Sequence, residues 1–168
     1  MDALMGIRRI FVLGLAVLAA VASAQTPVEA LEWKEEAIPP PPAYSNDKLI
    51  PVEMPPYVAI KVGIAPETVA VGADGVVRYV VVMRNVSGSV NAAYEGILCA
   101  TGEVKTYARV NSAGSWVPVN QPQWRSLTDN LPSRHAYAIA QQGACDGRTA
   151  AKRDDILQAL RRRQRAVD

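Results

Sequence analysis

Hydrophobic and polar positions follow a period of two through the middle of the chain, from Thr68 to Ala108. That is the repeat of side chains along a strand. The runs Thr68 to Val71 and Val76 to Met83 are rich in β-branched residues and flank Gly72-Ala73-Asp74-Gly75, a hairpin-turn signature. In the second run Arg78, Val80 and Val82 share one face, while Val77, Tyr79, Val81 and Met83 line the other. A strand that is apolar on both faces belongs at the centre of a sheet. Ser87-Gly88-Ser89 and Thr101-Gly102 mark two further turns, which set off strands over Asn91 to Cys99 and Glu103 to Val110. The predicted unit is an antiparallel meander.

Shorter signals flank it. Leu49-Ile50 and Tyr57 to Val62 read as short strands, the first held at a sheet edge by Pro51, Pro55 and Pro56. Asn111 to Ser115 turns the chain into Trp116 to Val119, and an irregular connection begins at Pro122 and Trp124. Ser133 is placed to cap a short helix over Arg134 to Gln142, with Gly143 as its stop. From Thr149 to about Arg165 the period becomes helical: Ile156, Leu157 and Leu160 share one face, and Lys152, Arg153, Arg161, Arg162, Arg163 and Arg165 cover the others. Asp154 and Asp155 near the start and the arginines near the end suit the helix dipole. The expected fold class is α+β, a single antiparallel β-sheet meander with one or two C-terminal helices.

The N-terminal third is built differently. Residues 1–24 read as a signal peptide, with Arg8 and Arg9 before an apolar stretch that ends in Ala22-Ser23-Ala24. A retained membrane anchor is the alternative, but the uncharged run is shorter than the roughly 20 residues a span needs. Residues 25–56 form an extended Pro-rich arm, because Pro39-Pro40-Pro41-Pro42 favours polyproline II over helix or central strand. The arm either lies across the domain, with Trp33 docked in a groove, or acts as a spacer; its prolines also suit an aromatic groove elsewhere. The α+β domain itself is placed at residues 57–165.

Composition narrows the partners. Removing the leader, with Arg8, Arg9 and Asp2, takes the formal charge from +2 to about +1. A near-neutral domain has no field with which to steer a polyanion, so nucleic acid is not an expected partner. No membrane span is expected once the leader is removed. Both cysteines, Cys99 and Cys145, lie in the exported part, and in an oxidising compartment two thiols of one small domain usually pair.

The wording VGADGVVRYVVV, then NAAYEGILCATGEVKTYA, then Trp116 and Trp124, then Cys145, resembles the CNP1-like family of exported bacterial envelope proteins. The resemblance runs from about Trp33 to Leu160 and is most specific at Tyr94-Glu95-Gly96 followed by Cys99, with Glu103, Lys105, Tyr107 and Ala108 at matching offsets. It implies an envelope location, a single domain and pairing of Cys99 with Cys145. It supplies no catalytic residue.

Candidate chemistry is sparse. His135 is the only histidine, so a metal site would lack its usual ligands, and none is expected. His135 itself is either a solvated or capping side chain or a general base. Glu95 and Glu103 would form an acid/base pair or, with Arg78, Lys105 and Arg109, a cross-strand ladder of charges. A Cys99 and His135 nucleophile pair would need the disulfide to be absent. The chain has no phosphate loop and no G-x-S-x-G elbow, and no cofactor is expected. The candidate binding surface comprises Arg78, Tyr94, Glu95, Lys105, Tyr107, Trp116 and Trp124, unless these aromatics serve the core. Arg161 to Arg165 would meet an anionic lipid or simply stay solvated. The leading expectation is a non-enzymatic binding or structural module of the periplasm that meets an envelope protein or glycan through its sheet face. The alternative is a small periplasmic hydrolase using Glu95 or His135.

Overall fold

The computed structural model describes residues 32–129 and 133–167. The signal peptide expected over residues 1–24 and the first residues of the expected arm lie outside these. One compact unit begins at Trp33. Its strands are β1 (Ile50–Val52), β2 (Lys61–Ile64), β3 (Ala70–Val71), β4 (Val76–Arg84), β5 (Val90–Leu98), β6 (Glu103–Val110), β7 (Trp116–Pro118) and β8 (Arg125–Ser126). They form one antiparallel sheet in the order β1-β2-β4-β5-β6-β7. β3 pairs with the start of β4, which leaves its end to β2. Likewise β8 pairs with the start of β6 and β7 with its end. The long strands β4 to β6 are therefore central, as their two apolar faces require.

Three elements differ from the expected bounds, each for a local reason. Thr68 is not in a strand. It closes a single 3-10 turn over Pro66–Thr68, where its hydroxyl donates to the Ala65 carbonyl and accepts the Val80 amide, doing the work of a strand partner. Tyr57 to Ile60 precede β2 rather than joining it. At the other end β9 (Cys145–Asp146) pairs with β10 (Thr149–Ala150), so the last helix, α2 (Arg153–Val167), starts later than Thr149.

Alternation divides the side chains between two layers. Val77, Tyr79, Val81, Ala93, Ile97 and Val104 pack against the helices, joined by Ile156, Leu157 and Leu160 of α2. Val80, Val82, Ala92, Tyr94, Tyr107 and Ala108 make a smaller cluster on the outer face. The register of β5 against β6 shifts between Tyr94 and Glu95, so Tyr94 faces Ala108 while Glu95 faces Thr106. Such a bulge reverses the parity beyond it. Tyr107 and Ala108 thus share the outer face, and Arg109, opposite Ala93, belongs to the helix side.

The first helix, α1 (His135–Ile139), widens into a π-helical turn over Ala140–Ala144. Gly143 ends it at φ 139°, and a Cβ there would meet the Ala159 Cβ at 2.6 Å, so only glycine lets α2 cross this closely. The buried Gln142 has a specific task. Its amide accepts from the Glu53 N–H at 2.9 Å and donates to the Glu53 carbonyl at 2.7 Å, taking the place of a further strand just past β1. The Cys99–Cys145 disulfide then ties the end of β5 to the end of this helical segment, with Cα atoms 5.6 Å apart. Among the described residues no helix is long and apolar enough to cross a membrane.

Candidate functional site

On the outer face the sheet meets the chain's own arm. Glu35 accepts from Lys105 Nζ at 2.6 Å and from the Tyr107 hydroxyl at 2.7 Å, and lies 3.9 Å from Arg78. Arg78 also holds Asp74 at 2.6 Å, and the Asp74 carboxylate accepts the Glu36 amide. Trp33 donates its indole N–H to the Asp74 carbonyl at 2.8 Å and meets Trp124 edge to face. Farther along, Pro39 to Pro41 line a hollow with Tyr94, Tyr107 and Pro118. Tyr107 reaches Glu35 by lying across Gly96, where any Cβ would collide with the phenol. Burial, and then the bond to Glu35, push the Tyr107 phenol far above its ordinary range. Burial opposes the charge of Asp74, but its bonds with Arg78, Glu36 and Val76 outweigh that, and the carboxyl stays below the usual value.

The seven residues proposed as one surface are therefore not one surface. Arg78, Tyr94, Lys105, Tyr107 and the half-buried Trp116 and Trp124 gather on the outer face, but Arg78, Tyr94 and Tyr107 are buried. Glu95 faces the helices, because its position in β5 is one residue on from Tyr94. It therefore meets neither Arg78 nor Lys105, and Glu103 hydrogen-bonds Thr101 instead of Glu95. The ladder exists, with the arm's Glu35 as its acid.

The helix face carries the second polar cluster. Glu95 is 2% exposed and accepts from the Tyr79 hydroxyl at 3.3 Å, the Thr106 hydroxyl at 3.0 Å and His135 Nε2 at 2.7 Å. Burial alone would raise its pKa, but the charge and hydrogen bond of His135, with Thr106 and Arg109, more than offset this and hold it below the ordinary range. Glu95 is thus ionised, and Nε2–H is the donor in the contact with His135. Burial and the Glu95 charge drive the Tyr79 phenol well upward, which keeps it a donor.

The other ring nitrogen, Nδ1, meets the Ser133 hydroxyl. Ser133 does not cap the helix. Arg134 occupies the cap position with left-handed backbone, φ 52°, and this bend brings Ser133 back over the ring two residues on. A neutral His135 would accept the Ser133 proton at Nδ1 while Glu95 orients it through Nε2, the arrangement that activates a hydroxyl. Ser133 and Arg134 are the residues here that sequence reasoning left without a functional role, and Arg109 was expected on the sheet face with Lys105 rather than beside His135. Ser133-x-His135 was the available signal, hidden because a serine before a helix reads as a cap.

Two clefts open on this cluster. A larger one of about 580 Å³ is lined by Tyr57, Ile60, Met83 and Asn91, and by Arg109, Arg134, Ser133 and His135. A smaller one of about 390 Å³ lies beside Glu95, Thr106 and Arg125 and shares Arg109, Ser133 and His135 with the first. Among the described residues no group of three or more His, Cys, Asp or Glu side chains is placed to hold a metal ion.

The sequence model of the CNP1-like family matches residues 28–161. The chain belongs to the CNP1-like family. Comparison with curated proteins and with solved structures returned no match. For this CNP1-like chain, function has to be argued from the two faces themselves.

Proposed function

We propose that this CNP1-like chain is an exported protein of the bacterial cell envelope that works by binding, with the clefts beside His135 as the binding place. The observation that carries the reading is the contrast in occupancy. The outer face is covered by the arm, whereas no arm covers the clefts on the helix face among the described residues, and these are lined by polar and apolar groups together. Binding sites have that composition. The leader and the Cys99–Cys145 bridge support export, since such bridges are rare in reducing compartments. The test is native mass spectrometry of mature protein exposed to a small-molecule envelope extract. Wild type is expected to retain a ligand that Ala59→Trp, which fills the larger cleft from an exposed position, does not. Equal retention by both, or none by either, contradicts the reading.

A second reading rests on the contact among Ser133, His135 and Glu95: a hydrolase with Ser133 as nucleophile, His135 as base and Glu95 orienting the ring. It predicts turnover of ester or amide reporters that Ser133→Ala abolishes while folding is retained. Turnover unchanged in Ser133→Ala removes it.

A further inference from the structure

We propose that the larger cleft takes a small organic oxyanion, a carboxylate or a phosphate ester, carried on an apolar body. This rests on the binding reading above and adds the chemistry of the ligand. The charges lining the cleft are one-sided. Arg109 and Arg134 line it, and among the described residues neither Asp nor Glu does. The one carboxylate of the adjoining cleft, Glu95, has its oxygens engaged by Tyr79, Thr106 and His135. Arg109 is exposed and, among the described residues, has no ion-pair partner. Arg134 is positioned rather than free: its guanidinium stacks over the Tyr137 ring at 5.2 Å, and its Nε is buried without a hydrogen-bond partner among the described residues. A buried donor left unpaired is costly, and a bound oxygen acceptor would relieve that cost; Arg78 Nε on the outer face is also without a partner among the described residues, so the distinction between the faces rests on the ion pairs.

The outer face shows what the same fold does with comparable cations. There Arg78 and Lys105 are answered by Asp74 and Glu35 at 2.6 Å each. Among the described residues neither Arg109 nor Arg134 has an acid within ion-pair distance; Glu95 feels the Arg109 charge, but its oxygens are taken by Tyr79, Thr106 and His135, so both guanidinium groups keep donors for a ligand. Guanidinium groups match the paired oxygens of carboxylate and phosphate alike. Tyr57, Ile60 and Met83 supply apolar surface for the ligand's body.

The test titrates benzoate, phenyl phosphate and neutral benzamide into the mature protein, followed by NMR at the His135 ring and the Arg109 and Arg134 side chains. One or both anions are expected to bind at least about tenfold tighter than benzamide, a difference of about 1.4 kcal/mol. That preference is expected to shrink with added salt. Arg109→Gln with Arg134→Gln is expected to weaken the anions tenfold or more and leave benzamide unchanged, with thermal unfolding confirming a folded variant. The tighter of the two anions identifies the oxyanion. Benzamide binding as well as the anions, anion binding unchanged in the double variant, or no site-specific shift with any probe overturns the proposal. An uncharged ligand retained from envelope extract and lost in Ala59→Trp would overturn the anion alone and leave the binding reading standing.

Discussion

The two faces of the sheet each hold a carboxylate among cations and phenols, yet they arrive at opposite ends. On the outer face the acid, Glu35, comes from an arm 70 residues away in sequence from the Lys105 it meets, and the cluster closes on itself. On the helix face the acid, Glu95, grows from the central strand and is engaged by its own donors, while among the described residues Arg109 and Arg134 have no ion-pair partner beside the cleft. The charges on a face do not tell structure from function. Whether each charge already has its partner does.

The comparison can be broken from the helix side first. Replacing both Cys99 and Cys145 by serine releases a loop of 46 residues, and the chain-entropy estimate is a loss of about 4 kcal/mol, read by urea denaturation. The loss is expected to expose α1 and α2 to hydrogen exchange before β4 and β5. Glu95→Ala comes next. It strips a buried carboxylate from Tyr79, Thr106 and His135 and is expected to cost about 3 kcal/mol. Because the folded Glu95 titrates below the ordinary range, its contribution is full above the unfolded glutamate value of about 4.3 and disappears as pH falls through the depressed one. Stability measured against pH should therefore fall on acidification in wild type, and fall less in Glu95→Gln.

The outer face should give way more gently. Glu35→Gln keeps the shape but removes the charge shared by Lys105 and Tyr107, and about 1.5 kcal/mol is expected from charge-assisted bonds of this kind. The arm should loosen while the helix layer stays protected from exchange. Smallest of all, Arg163→Ala breaks an exposed pair with Glu53 at 4.0 Å that belongs to neither cluster, and less than about 0.5 kcal/mol should change.

Much of the frame was legible in the sequence. The two-residue period gave the faces of β4 correctly, the helical period gave the buried Ile156, Leu157 and Leu160, and the turn signals gave the meander. The site was less legible, for reasons that can be named. A bulge at Tyr94 and Glu95 leaves no compositional mark, yet it moves Arg109 to the face opposite Tyr107. The αL backbone at Arg134 carries a residue that rarely adopts it, so nothing announced that Ser133 would turn back to His135. Glu35 sits beside a proline run, and a local pattern cannot show which distant strand an extended arm will reach.

Hydroxyl-radical footprinting of the tyrosines, read by mass spectrometry on the mature chain, puts the closed and open faces to one direct trial. Tyr57 is 74% exposed at the rim of the larger cleft, whereas Tyr94 and Tyr107 are 3% and 5% exposed beneath the arm. Tyr57 should be oxidised quickly and the other two slowly, until deletion of residues 25–42 uncovers them. Rapid oxidation of Tyr94 and Tyr107 in the intact chain, at the rate of Tyr57, would contradict the account.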